Sequence, residues 1–129
     1  MDLYEWTKHY IKFRNCVKKN IIKLELENNK IITKEKDIKK TYLISENIIN
    51  SIKKIDKGIT IIVCLNTKEN IENINNNWNL FSKKKELTII CVKPDTNEKW
   101  SIHPATHNKI SENIKKGLET LYESINGNK

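Results

Sequence analysis

What the chain uses least already narrows its chemistry. Glycine occurs only at Gly58, Gly117 and Gly127, so neither a G-x-G-x-x-G turn nor a Walker A loop is present, and both common nucleotide-binding loops are excluded. Arg14 is the sole arginine, which leaves little of the side chain best shaped for bidentate contacts to phosphate or guanine. No apolar run approaches the ~18 residues that a membrane helix requires. Residues 1–17 include Asp2, Glu5, Lys8, Lys12 and Arg14, where a signal peptide needs an unbroken apolar segment. The expectation is a soluble cytoplasmic protein without a membrane partner. Cys16, Cys64 and Cys91 are odd in number and widely spaced, which suits neither a disulfide framework nor C-x-x-C metal ligation. Cys64 and Cys91 lie inside apolar runs, where cysteine acts as a small hydrophobe.

Isoleucine, lysine, asparagine and glutamate fill the space that these absences leave. The 129 residues are the length of one domain, residues 1–129, with enough chain for a single core. The 24 Lys plus Arg against 16 Asp plus Glu give a net charge of +8, which invites a nucleic-acid partner. An AT-rich coding sequence produces the same surplus of Lys, Ile and Asn. The total charge therefore carries less weight than where the charge is placed.

Leu3, Trp6, Tyr10, Phe13 and Val17 recur at spacings of three and four, predicting a helix over 3–17 with this stripe against the core. Asp2 followed by Glu5 resembles a capping box. In IIKLELE, Ile22, Leu24 and Leu26 alternate with charged residues as in a half-buried strand. Asn28-Asn29 then makes a hairpin turn, Lys30 to Lys36 returns as an exposed or edge strand, and Asp37 to Lys40 links to a short third strand, Thr41 to Ile44. Ser45 caps a helix carrying Ile48, Ile49, Ile52 and Ile55, with Gly58 as its stop. ITIIVCL (59–65) and LTIICV (87–92) read as strands buried on both faces. Between them lies a helix with Ile71, Ile74, Trp78 and Phe81, capped by Asn66 or Thr67, which completes a parallel βαβ unit. A last helix spans 111–125, and the tail 127–129 is expected to fray. Gly117 inside that helix costs about 1 kcal/mol relative to Ala, which suggests close approach to a neighbour. The fold class is α/β: an N-terminal helix, a three-stranded antiparallel meander, a βαβ unit and a C-terminal helix in one mixed sheet flanked by helices.

Rare residues concentrate in PDTNEKWSIHPATHNKI (94–110), which follows the carboxyl end of a parallel strand, the place where open α/β sheets bind ligands. Trp100 and Ile102 alternate with Ser101 and His103, so a short strand would turn the apolar pair inward. His103 and His107 have the spacing of a helical ligand pair, but Pro104 biases His103 away from helical geometry. With Asp95 they are the candidate catalytic residues, and the alternative function is a hydrolase-type enzyme, metal-dependent in one version, working at 94–107. The leading expectation assigns no metal and no cofactor and treats the peptide as a structural crossing anchored by Trp100. Lys53, Lys54 and Lys57 end one helix while Lys83, Lys84 and Lys85 follow another, where cations complement helix dipoles. Both runs fall at the amino edge of the parallel strands, expected to lie opposite the histidines. This edge is the candidate nucleic-acid-binding surface of a small binding or accessory module. A further alternative is a protein-interaction module or homodimer using the aromatic helix or an edge strand.

Through residue 65 the order helix, meander, helix, strand resembles the restriction-endonuclease-like fold. That resemblance implies an acidic residue in the second strand and (D/E)-x-K in the third. Glu35 and Asp37 lie near the second strand, but Thr41-Tyr42-Leu43-Ile44 supplies neither carboxylate nor lysine, which disfavours an active nuclease of that type and leaves an inactive relative open. KWSIHPATHNKI followed by GLETLYESI resembles the C-terminal third of small archaeal α/β proteins with no assigned activity.

Overall fold

Asp2 accepts the backbone N–H of Glu5 at 2.8 Å and opens helix α1, Leu3–Lys18, as the capping pattern predicts. The computed structural model describes residues 2–19, 21–110 and 113–126. Strands β1 (Ile21–Glu27), β2 (Lys30–Glu35) and β3 (Ile38–Ile44) follow, then the short helix α2 (Ile49–Ile52) and strand β4 (Ile59–Leu65). Helices α3 (Lys68–Asn76) and α4 (Trp78–Ser82) lead to β5 (Leu87–Lys93), and β6 (Glu98–Ile102) precedes α5 (Pro104–Ile110) and α6 (Ile114–Asn126). The expected helix start at Ser111 and the tail 127–129 lie outside the described residues.

The six strands form one mixed sheet in the order β1-β2-β3-β4-β5-β6. Pairing is antiparallel from β1 to β3, parallel from β3 through β5, and antiparallel again between β5 and β6. Alternation within β4 serves two cores. Ile61 and Val63 pack with Leu3, Trp6, Ile11, Tyr42 and Ile44 under α1. Ile62 and Cys64 pack on the opposite face with Ile48, Ile71, Ile74, Phe81 and Leu118. One helix thus covers one face, while the remaining helices share the other.

Several boundaries differ from expectation for local reasons. Residues 30–35 are interior, with Ile31, Ile32 and Thr33 buried, because β1 takes the edge position outside them. The third strand starts at Ile38, since the β2–β3 turn needs only Lys36 and Asp37 and places Lys39 and Lys40 in register with Lys34 and Thr33. The helix after Ser45 shrinks to Ile49–Ile52. The buried amide of Asn70 takes over there, accepting the N–H of Ile48 at 2.9 Å and donating to the carbonyl of Glu46 at 2.7 Å. The single helix expected to carry Ile71, Ile74, Trp78 and Phe81 breaks at Asn77, whose φ of −108° and ψ of 18° are not helical. Gly117 is exposed and a Cβ there would meet nothing within 4 Å, so the close approach inferred from sequence is absent.

All three tryptophans are buried and each indole donates to an asparagine. Trp6 reaches Asn97 at 2.7 Å, Trp78 reaches Asn108 at 2.8 Å, and Trp100 reaches Asn66 at 2.8 Å. A buried indole N–H without a partner would cost roughly 1–3 kcal/mol, so part of the abundant asparagine has a structural use. Cys64 and Cys91 are in register across β4 and β5 with sulfurs 3.7 Å apart. Burial and the neighbouring thiol push Cys91 well above its ordinary pKa, which suppresses its thiolate.

Candidate functional site

The carboxyl ends of β4 and β5 are the first place to look for a ligand in an open α/β sheet, and this protein closes them with its own hydrogen bonds. Asn66 accepts from Trp100 and donates to the carbonyl of Tyr122 at 3.1 Å. Thr67 accepts the N–H of Asn70 at 3.1 Å, and Asn70 also donates to the carbonyl of Leu65 at 2.7 Å. Among the described residues no buried side-chain nitrogen or oxygen lacks a partner.

The histidine region does not form the site that its sequence suggests. Strand β6 runs antiparallel to β5, pairing Glu98 with Lys93 and Ile102 with Ile89. Asp95 therefore lies at the carboxyl end of β5, while His103 is carried back to the amino end beside Thr88. The three candidates do not converge. His103 Nδ1 is 2.9 Å from Thr88 Oγ1, and His107 Nδ1 is 3.2 Å from the His103 carbonyl oxygen. Helix α5 begins at Pro104, leaving His103 before the helix as the proline rule requires. Trp100 and Ile102 point inward and Ser101 and His103 outward, as the alternation predicts. No group of three potential metal-ligating side chains occurs among the described residues.

That antiparallel return corrects a second expectation, because His103 sits at the lysine edge and not opposite it. The lysines do assemble there. Lys57, Lys83, Lys84 and Lys85 line one open cleft of about 430 Å³ together with Gly58 and Thr60. Lys53 and Lys54 are exposed in the turn after α2, outside that cleft's lining. The β2–β3 turn brings Lys36 and Lys39 to the same end of the sheet, since Lys40 is in register with Ile59. Lys34 and Lys40 are paired with Glu25 and Glu35 at 3.7 and 3.3 Å. None of Lys53, Lys54, Lys57, Lys83, Lys84 and Lys85 makes an ion pair among the described residues. Asp56 and Glu86 border the cleft, so the positive charge prevails locally.

A second concavity was not legible as a site. The α1 stripe is expected to be core, yet among the described side chains of the helix Leu3, Trp6, Thr7 and Ile11 are buried while Phe13 remains 71% exposed, and the side chain of Val17 lies outside them. The cause is the neighbouring strand. On the face toward α1, β6 presents Lys99 and Ser101, because Trp100 and Ile102 point the other way, so Tyr10 packs against the core only in part and Phe13 is left in solvent. The result is a groove of about 680 Å³ between α1 and the β5–β6 turn. Tyr10 stacks on Trp6 with ring centres 5.1 Å apart and an interplanar angle of 11°. The Arg14 guanidinium and the Lys99 ammonium lie 5.5 and 5.6 Å from the centre of the Tyr10 ring. Arg14 also donates to the Tyr10 hydroxyl at 2.7 Å, a bond that raises its already high pKa. The sequence held one usable signal: the apolar arc Leu3, Trp6, Tyr10, Ile11, Phe13 is wider than one sheet contact can cover.

Arg14 also borders a small cleft with Thr33, Glu35, Lys40 and Tyr42. Burial, reinforced by the neighbouring Tyr10, pushes the Tyr42 hydroxyl up to about 12. Glu35 faces Lys40 here, whereas Asp37 falls in the β2–β3 turn. The third strand thus does contain lysine, contrary to expectation. Asp37-Ile38-Lys39, at the start of that strand, has the (D/E)-x-K spacing that the shorter strand Thr41–Ile44 left out. No protein-family model, curated protein or solved structure matches the chain.

Proposed function

We propose that the protein is a small nucleic-acid-binding accessory module that takes phosphates at the amino end of its parallel strands. The observation that carries this reading is the convergence of Lys57, Lys83, Lys84 and Lys85, from two separate connections, on one cleft with no ion-pair partner among the described residues. Composition bias explains an excess of lysine but gives no reason for lysines distant in sequence to meet. Lysine suits the task as a flexible point charge that neutralises backbone phosphate without reading bases. The element order through β4 supports an affinity with restriction-endonuclease-like proteins.

Filter binding across a salt series tests the reading. Affinity should fall linearly on a log–log plot, with a slope of about 0.7 to 0.9 per phosphate neutralised. Changing Lys57, Lys83, Lys84 and Lys85 together to Gln should weaken binding and flatten that slope. Failure to bind DNA or RNA at low salt, or binding indifferent to salt, would remove the proposal.

A further inference from the structure

We infer that the groove between α1 and β6 is a single-strand subsite, in which an unpaired base stacks on Phe13 while Arg14 and Lys99 hold the adjoining phosphates. This rests on the nucleic-acid reading above and deepens it from phosphate binding to a class of strand. Three observations meet in the groove. First, an aromatic ring on a folded helix stands 71% exposed, beside a Trp6–Tyr10 stack that already fixes the plane of its neighbours. Second, both cations are held over the Tyr10 ring, which orders long side chains that would otherwise sample many rotamers. Third, no carboxylate among the described residues lines the groove, and the nearby Glu98 is engaged by the Thr96 hydroxyl at 2.6 Å. An apolar protein segment would satisfy Phe13 but leave Arg14 and Lys99 uncompensated. A strand of nucleotides supplies a π face and an anion at each step, the pairing used by sequence-tolerant single-strand binders. A duplex buries its base faces and can offer only phosphate. Arg14 lines both this groove and the cleft containing Lys40, so one cation is shared by the two concavities.

Anisotropy of labelled homopyrimidine DNA and RNA oligomers, each alone and in duplex, measured with the full chain across a salt series, tests the inference. Phe13→Ala should weaken single-strand binding roughly 5- to 100-fold, the value of one stacked base, with the salt slope and duplex affinity unchanged. Phe13→Tyr should restore binding, since it returns a stacking face. Arg14→Gln with Lys99→Gln should flatten the single-strand slope. The relative affinities of the DNA and RNA oligomers identify which strand the groove takes. Single-strand binding by Phe13→Ala at wild-type affinity, or an equal loss on duplex, overturns the subsite while leaving the lysine cleft in place. Absence of binding by the unaltered chain to every oligomer overturns both. Phe13 lies largely in solvent, so its variants retain the fold, which circular dichroism verifies.

Discussion

The two ends of the parallel strands are built from the two polar residues that this chain has in surplus, and they use them in opposite ways. At the carboxyl end, Asn66 and Asn70 turn inward and are consumed by indole and backbone groups. At the amino end, Lys57 and Lys83 to Lys85 face a solvent cleft with no ion-pair partner among the described residues. An amide both donates and accepts, so asparagine can satisfy a buried junction. An ammonium only donates and carries charge, so it stays in water unless paired. The β4–β5 junction at the usual ligand position of an open α/β sheet is sealed here by amides, and the lysine cleft at the opposite end is left open to solvent.

Four substitutions would break or sharpen this contrast. Asn70→Ala should have the largest effect, about 3 kcal/mol lost in denaturant unfolding, because it strips partners from the Ile48 N–H and the Glu46 carbonyl in a junction without spare donors. A loss below ~0.5 kcal/mol would mean that the carboxyl end is not held by its amides. Near the basic end, Tyr42 gives a pH test. Its folded pKa, up to about 12, lies above the ordinary value of 10.0. The neutral phenol therefore contributes stability that is complete below pH 10 and is lost as pH rises through 12, roughly 2 kcal/mol in all. Tyr42→Phe should flatten the stability profile across that window, and an unchanged profile would place the titration elsewhere. Gly117→Ala should stabilise by about 0.5–1 kcal/mol, since the position is helical and a Cβ meets nothing within 4 Å. A loss there would mean that another group packs against position 117. Smallest of all, Lys84→Gln should change stability by less than about 0.5 kcal/mol, which separates the cleft's charge from the fold and contrasts directly with Asn70.

The sequence makes the strands of the βαβ unit plain, because continuous β-branched runs such as ITIIVCL have few alternatives, and β4 begins and ends where its apolar run does. Helix α1 is equally legible from its period and its Asp2 cap. The partner of each face is not. The stripe Trp6, Tyr10, Phe13 has the spacing of core residues, and only the outward Lys99 and Ser101 of β6, distant in sequence, leave two of its rings partly or largely in solvent. Pro104 shows correctly that His103 precedes the helix, but the sequence gives no direction for β6. Reading the Trp100 strand without its antiparallel return placed the histidines at the wrong end of the sheet. The lysine cleft was inferred from helix ends and strand direction, which are local properties, and the structure does bring Lys57 and Lys83 to Lys85 together.

The strand order has a kinetic consequence. Each strand pairs with its neighbour in sequence, so the sheet can grow from one edge to the other as the chain emerges during synthesis, with little loop-closure entropy at each step. Helix α1 is the exception. Its Trp6 finds its hydrogen-bond partner, Asn97, 91 residues later. The first element made is therefore among the last to be completed, and until the β5–β6 turn forms, the Trp6 indole waits without its partner.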